Sequence, residues 1–294
     1  MTSDEVLLLD DEGFFGGLGR AFRSCFGSLR LLGLLLFAMF DLAWRQMRRG
    51  SRLALPERVD WLQRWCRRVL RGLGVTPYIQ GEPRAGMIVA NHLSYLDILL
   101  FGAATPCVFV AKSEIRGWPL LGWLATGAGS LFIDRNQRSE AQAVGERMLE
   151  VLRQGISIVF FPEGTTSDGS EVWRFHSSLF EYAVRAQAPV TAACLSYTSQ
   201  DASVEKDICY WGDAVLVSHL WQLNGIRQIS GNLVFAEKSS TYADRRTAAA
   251  ATHDEIVEML RAMRPALAAV EYFVGGEAAP LPPGQILNSR EQRI

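Results

Sequence analysis

The sequence is poor in the residue types that build metal and redox sites. Its 294 residues include five cysteines and four histidines, which form neither a CxxC pair nor a cysteine–histidine cluster. This pattern excludes a zinc-binding scaffold and a disulfide framework, and it favours a reducing cytosolic setting. No GxSxG sequence is present either, which argues against a serine hydrolase.

A strong net charge is also missing, although the charges are unevenly distributed. The chain has 30 basic and 31 acidic residues, which argues against general binding of nucleic acid. Residues 20–74 nevertheless contain twelve arginines and only three acidic residues, a local charge of +9. Because this region is also apolar, an anionic membrane surface is a better partner for it than RNA.

No apolar run is long enough for a confident membrane span. Residues 31–40 are wholly apolar, but ten helical residues cover about 15 Å, half of a hydrocarbon core of about 30 Å. Between residues 59 and 73, apolar residues recur at helical spacing with arginines between them, which predicts a basic amphipathic helix. We expect both segments to dock with their apolar faces in the membrane interface. The alternative is two core helices with their arginines on a solvated face.

Attachment is therefore expected to be peripheral or monotopic, on the cytoplasmic face of the inner membrane. The first residues are acidic, the reverse of the basic start of a signal peptide. Along the chain we predict an acidic flexible N-terminus (1–19), an Arg-rich helical docking region (20–74), an α/β domain (75–270) and a disordered tail (271–294).

Within residues 75–270, short apolar runs alternate with helical stretches. The predicted strands are 76–80, 87–90, 107–111, 130–134, 156–161, 190–196 and 232–236. Alternation of this kind predicts an α/β fold with a mostly parallel central sheet covered by helices.

Four of these strands end on residues that can carry chemistry: His92, Lys112, Arg135 and Glu163. The carboxyl ends of parallel strands meet at one edge of the sheet, where open α/β folds bind ligands. A base, two cations and a polar loop on one rim suit deprotonation of a hydroxyl on an anionic substrate, with transfer of an acyl or similar group to it.

His92 is the candidate base, and Asp97 follows it by five residues. A carboxylate there can hold one imidazole nitrogen and leave the other free to take a proton. However, Ser94 and Asp97 also have the spacing of a capping box, which would use Asp97 only to begin a helix. The spacing alone leaves both interpretations open.

Other candidate residues also have a structural interpretation beside the functional one. The FPEGTTS loop (161–167) offers a carboxylate, an unhindered backbone and three hydroxyls for a polar head group, or it is an ordinary turn. Arg135 suits a phosphate or carboxylate, or a surface ion pair. His219 either lines an acyl channel or packs in the core, and we favour packing.

Four sequence blocks resemble those of the glycerolipid acyltransferases, the family of bacterial 1-acyl-glycerol-3-phosphate acyltransferases. The blocks are NHLSYLD (91–97), GSLFIDR (129–135), FPEGTTS (161–167) and APV (188–190), and their order and spacing both agree. The resemblance spans about residues 75–200. It implies an α/β acyltransferase fold with an N-terminal helical membrane-docking motif.

The resemblance also implies a role for each matching residue. His92 would be the general base on the acceptor hydroxyl, and Asp97 would orient it. The implied substrate-binding residues are Lys112, Arg135, Glu163, Gly164 and Thr165. The acyl donor would be acyl-CoA or acyl carrier protein, with no metal or cofactor required.

Two departures from the family pattern bear on the acceptor. Thr166 stands where phosphatidate-forming members often carry arginine, and His176 where they carry lysine. We expect 1-acyl-glycerol-3-phosphate as acceptor, giving phosphatidate. Because two cations are lost, lyso-ornithine lipid or a lysophosphatidylcholine-type acceptor is the alternative.

Two more distant alternatives fit the sequence less well. A non-catalytic lipid-binding protein of this fold would be marked by loss of His92, Asp97 or Glu163, and all three are present. Late acyltransferases of the lipid A type usually carry glutamate at the position of Asp97 and a true N-terminal span.

Overall fold

A seven-stranded sheet organises the chain, which the computed structural model describes over residues 3–134 and 138–272. The strands are β1 (Val75–Gln80), β2 (Met87–Ala90), β3 (Cys107–Lys112), β4 (Leu131–Ile133), β5 (Ser157–Phe160), β6 (Val190–Thr198) and β7 (Ile229–Ser240). Their order across the sheet is β1-β7-β6-β2-β5-β3-β4. The β6–β7 pair is antiparallel and the other described pairs are parallel, which confirms the predicted mostly parallel α/β fold.

Eight α-helices accompany the sheet within these described ranges. They are α1 (Ser3–Arg49), α2 (Leu55–Leu73), α3 (Leu96–Ala104), α4 (Leu121–Ala128), α5 (Arg138–Arg153), α6 (Phe180–Ala186), α7 (Leu216–Asn224) and α8 (Arg245–Tyr272). Each predicted strand is present. The largest boundary difference is in β7, which begins three residues before the predicted 232 and ends at Ser240.

Two apolar clusters cover the two faces of the sheet. Successive side chains of β2 alternate between them: Ile88 and Ala90 belong to the cluster with α2, α3 and α7, and Met87 and Val89 to the cluster with α5, α6 and α8. All four are 0% exposed. A strand covered on both faces reads as a continuous apolar run, which is why β2 could be predicted without any alternation in its sequence.

The second predicted docking segment is α2, and its apolar face is buried inside the protein. The Glu57 carboxylate accepts the Ala54 N–H at 2.9 Å where the helix begins, and Gly74 ends it at a φ of 71°. Trp65 and Val69 on its apolar face are 3% and 4% exposed. The expectation that this face enters the membrane is therefore wrong: α2 is a core helix.

The longest row of exposed large apolar side chains lies on α1 instead. Ten large apolar side chains recur along one side of this helix at helical spacing, and we call them the α1 stripe. They are Leu18, Phe22, Phe26, Leu29, Leu32, Leu36, Phe37, Phe40, Trp44 and Met47. Between Gly17 and Arg49, α1 is long and apolar enough to cross a membrane by length and composition, and most of this stretch is not buried in the protein.

The sequence predicts only a ten-residue apolar segment here, because Arg30 and Asp41 bracket the most apolar part of the helix. In the structure, Asp41 accepts hydrogen bonds from Arg45 at 2.8 Å and from the Trp65 indole at 2.9 Å. Its charge is thus paired within the protein and does not interrupt the α1 stripe.

The predicted division of the chain into four segments stays a prediction. Since α1 begins at Ser3, the boundary expected at residue 20 falls inside a helix. Apart from the last two residues of α8, the predicted tail at 271–294 lies outside the described residues.

Candidate active site

The site begins where β2 ends, because Asn91 anchors that end to β6. Its side-chain amide donates to the Leu195 carbonyl at 3.0 Å and accepts the Leu195 N–H at 2.8 Å. Asn91 is 2% exposed, so both of its polar atoms are satisfied inside the protein. The next residue, His92, thereby leaves the strand at a defined position on the carboxyl edge of the sheet.

His92 and Asp97 form a hydrogen-bonded pair. His92 Nδ1 lies 2.7 Å from Asp97 Oδ2, and that oxygen also accepts the backbone N–H groups of Leu93 at 2.7 Å and Ser94 at 3.0 Å. Because the carboxylate collects N–H donors, Nδ1 carries the proton and Nε2 keeps a free lone pair. Nε2 has no hydrogen-bond partner among the described residues, and the His92 side chain is 18% exposed, whereas Asp97 is 0% exposed.

The structure shows contacts expected from each interpretation of the Ser94–Asp97 spacing. The bond from the Ser94 N–H is one half of a capping box, so Asp97 does help to begin α3. The other half is missing, since the buried Ser94 hydroxyl has no partner. The same carboxylate oxygen holds His92, and the helix start thus places the charge behind the imidazole.

Phe161, the residue directly after β5, packs against the face of the imidazole. The two rings are stacked with their centroids 3.9 Å apart and an angle of 8° between their planes. This contact could not be predicted, because in the sequence Phe161 is simply the last apolar residue of a predicted strand. Stacking on one face and the Asp97 bond at one edge together define the direction of Nε2.

Glu163 is buried beside the pair, and its oxygen Oε1 accepts the backbone N–H of His92 at 3.0 Å. It is 5% exposed, and its Oε2 is buried without a hydrogen-bond partner. Burial raises the pKa of Glu163 to about 8 and the charge of Asp97 adds to this, while the backbone N–H groups of His92 and Trp173 pull it down. The raised pKa favours the protonated, neutral form of Glu163.

The rest of the 161–167 loop is tied to the same strand end. Gly164 has a φ of 78°, a left-handed conformation that favours glycine, and its N–H closes the turn on the Phe161 carbonyl at 3.2 Å. The Ser167 N–H donates to the His92 carbonyl at 2.8 Å. Thr165 is exposed on this loop. The Thr166 hydroxyl faces inward and donates to the Tyr210 carbonyl.

The structure does not gather every predicted residue into one cluster. His92, Asp97, Glu163 and Gly164 lie together, as expected for neighbouring strands β2 and β5. Lys112 is exposed at the same edge, but β5 separates its strand from β2, and no hydrogen bond or ion pair joins it to the cluster in the described part of the chain. Arg135 lies outside the described residues.

Tyr197 is a residue of the site that sequence reasoning missed. Its hydroxyl donates to Asp97 Oδ1 at 2.5 Å. Nothing in its sequence context, a buried nine-residue strand, distinguishes it from a core aromatic residue.

His219 packs in the core, as predicted. It is 4% exposed, and its ring nitrogens lie 2.9 Å from the Tyr95 hydroxyl and 3.0 Å from the Cys209 carbonyl oxygen.

Among the side chains that the structure describes, no group of three or more histidine, cysteine or acidic residues could hold a metal ion. The expectation that no metal or cofactor takes part stays a prediction.

An imidazole at the carboxyl edge of a mostly parallel sheet, with a buried carboxylate bonded to one of its nitrogens, is an arrangement that can take a proton from a hydroxyl. Residues 78–196 match the model of the family described as Acyltransferase. A lyso-ornithine lipid O-acyltransferase from Pseudomonas aeruginosa is 37% identical over 201 residues, which are 67% of this chain and 77% of that protein. This chain belongs to the acyltransferase family.

A further relative agrees with this assignment, and a solved structure shares the fold. A 1-acyl-sn-glycerol-3-phosphate acyltransferase from Neisseria gonorrhoeae is 32% identical over 198 residues, 65% of this chain and 74% of that protein. The crystal structure of the 1-acyl-sn-glycerophosphate acyltransferase PlsC from Thermotoga maritima aligns with a TM-score of 0.62, covering 83% of this chain and 98% of that one. At 18% identity, the second match shows the fold.

Proposed function

We propose that this acyltransferase moves a fatty acyl group from a thioester, acyl-CoA or acyl carrier protein, to the free hydroxyl of a lysolipid at a membrane surface. The observation that carries the proposal is the His92–Asp97 pair. Asp97 bonds Nδ1 at 2.7 Å, and this leaves the lone pair of Nε2 free on a side chain that is 18% exposed.

The proposed reaction needs one base that later acts as an acid. Nε2 of His92 takes the proton of the acceptor hydroxyl while the oxygen attacks the thioester carbonyl carbon. Asp97 stabilises the resulting imidazolium through Nδ1. When the C–S bond breaks, the imidazolium returns the proton to the thiolate, so the free thiol leaves and His92 is regenerated.

Binding of the acceptor head group is assigned to the rim around His92. Glu163 is proposed to shape this rim through its bond to the backbone N–H of His92, and the exposed Thr165 hydroxyl can donate a hydrogen bond to a head-group oxygen. The open backbone at Gly164 lets the head group approach closely. Lys112 and Arg135 are proposed to supply positive charge toward an anionic head group.

For the acceptor we propose 1-acyl-glycerol-3-phosphate, because two basic residues are assigned to this rim. A second candidate is lyso-ornithine lipid, and the observation that favours it is at Thr166. Its hydroxyl is used within the protein, on the Tyr210 carbonyl, so this position offers the acceptor no cation. The relative from Pseudomonas aeruginosa carries that acceptor in its name.

The membrane contact is assigned to the α1 stripe. This surface is exposed along some thirty residues, whereas the apolar face of α2 is buried. Arginines near the stripe suit the phosphates of an anionic leaflet, each worth about 1 kcal/mol. The five cysteines described are all free thiols, in keeping with attachment on the cytoplasmic side.

The test is a product assay with purified protein in anionic-lipid micelles. Acyl-CoA or acyl carrier protein is supplied with lysophosphatidate, lyso-ornithine lipid or lysophosphatidylcholine, and the products are identified by mass spectrometry. We expect one acylated product to dominate, and His92→Ala to lower its rate by about 10²–10⁴-fold.

The control is His253→Ala, which removes a partly exposed imidazole of α8 that lies outside the His92 cluster. It should leave the rate unchanged. A folded His92→Ala protein with full activity would refute the assignment of the base. No product from any acceptor with either donor would refute lysolipid acylation.

A further inference from the structure

Both oxygens of the Asp97 carboxylate accept hydrogen bonds, but only one of them accepts from the NHLSYLD block. Oxygen Oδ2 receives the three donors of that block, from His92, Leu93 and Ser94. Oxygen Oδ1 receives one donor, the hydroxyl of Tyr197 at 2.5 Å, from β6. Because Asp97 is 0% exposed, water cannot replace that donor, and without it Oδ1 would be a buried charged atom with no partner.

The position of Tyr197 follows from the pairing of β2 with β6. Ala90 is in register with Ala193 at the end of β2, and Asn91 continues the contact by bonding Leu195 through both atoms of its amide. Tyr197 lies two residues beyond Leu195 and so on the same face of β6, in the same apolar cluster. The pairing of β2 with β6 therefore places the Tyr197 hydroxyl beside the Asp97 carboxylate.

Tyr197 remains a donor under all working conditions. It is 3% exposed, and burial together with the neighbouring charge of Asp97 raises the pKa of its phenol well above the ordinary value. The titratable groups that face Asp97 in the described chain are His92, Glu163, Tyr197 and Cys209. His92 is thus the one basic side chain that balances this carboxylate.

We propose that Tyr197 is a positioning residue for the acyl-transfer reaction: its hydroxyl fixes Asp97 and draws charge from it, so that the carboxylate orients His92 without holding its proton too tightly. This inference rests on the proposed role of His92 as base. It assigns a function to a residue of β6 that lies 100 positions from Asp97 in sequence.

The test is the pH profile of kcat/KM for Tyr197→Phe, which removes the hydroxyl and keeps the ring. With the Tyr197 bond gone, Asp97 holds the protonated imidazole more strongly, and the acid limb of the profile moves to higher pH by about one unit. The variant is then about tenfold slower than the wild type on the acid limb and approaches it at high pH. The KM for the acyl donor should not change.

Tyr95→Phe is the matched control. Tyr95 is a mostly buried phenol of the same block, and its hydroxyl bonds His219 at 2.9 Å rather than Asp97. It should leave the acid limb in place. An acid limb that is unmoved in Tyr197→Phe, whatever the loss of rate, would overturn the proposal, because a purely structural role lowers the rate equally at all pH values.

A second substitution keeps the test decisive if Tyr197→Phe does not fold. Replacement of Tyr197 by 2,3-difluorotyrosine preserves the hydroxyl and makes it a stronger donor, so the acid limb should move to lower pH. An unmoved limb in that folded variant also overturns the proposal. Failure of the proposed function is distinguishable, since it would appear as an active His92→Ala protein.

Discussion

Glu163→Gln should remove a large part of the pH dependence of stability. The pKa of Glu163 is about 8 in the folded chain, whereas the ordinary value, which applies to the unfolded chain, is 4.5. Between these values unfolding releases that proton, so stability is highest at low pH and falls as the pH rises. The loss is about 1.4 kcal/mol per pH unit well inside this window, or about 2 kcal/mol between pH 6 and pH 8.

Glutamine keeps the shape and neutrality of the protonated side chain but cannot ionise. Urea unfolding in detergent micelles, followed through the fluorescence of the eight tryptophans, gives the free energy of unfolding at each pH. The wild type should lose about 2 kcal/mol more than Glu163→Gln from pH 6 to pH 8.

Glu171→Gln is the control, since Glu171 is an exposed carboxyl of the same connecting segment. It should follow the wild type across the pH range. Parallel curves for the wild type and Glu163→Gln would refute the reasoning, because they would mean that the buried carboxyl is already ionised in the folded protein at pH 6.

Three further results are expected. Asp97→Asn should lower kcat by about 10²–10⁴-fold in the product assay, because an amide cannot accept all the donors that converge on this side chain. Gly86→Ala should lower the melting temperature, since a Cβ there would lie 2.3 Å from the Pro189 carbonyl oxygen, an overlap costing about 1–3 kcal/mol. Phe22→Asp with Phe26→Asp should weaken co-sedimentation with anionic vesicles while leaving the melting temperature unchanged, because both rings are exposed on the α1 stripe.

The sheet and the contact between His92 and Asp97 could be predicted because their signals are local. A buried parallel strand is a continuous apolar run, and His92 and Asp97 are only five residues apart, where a strand ends and a helix begins. Tyr197 and Phe161 could not be found in this way. Their contacts with Asp97 and His92 depend on which strands are neighbours in the sheet. The strand order β6-β2-β5 cannot be predicted from any short stretch of sequence.

The two N-terminal helices show a different limit of sequence reasoning. Helical periodicity identified an apolar face on α2, but periodicity does not say what covers that face. In the structure α1, α3 and α4 contact α2, and Gly102 allows α3 to come so close that a Cβ there would lie 2.5 Å from Cys66 Sγ. The tertiary contact therefore decided which of the two helices keeps a free apolar surface.

The backbone of His92 has a consequence for how this enzyme can change its acceptor. Its N–H is held by the Glu163 carboxyl at 3.0 Å and its carbonyl by the Ser167 N–H at 2.8 Å. The loop that we assign to the acceptor head group is therefore also the scaffold of the base. A substitution that reshapes this loop for a new head group also displaces the imidazole, so acceptor preference and turnover number are expected to change together across variants of residues 163–167.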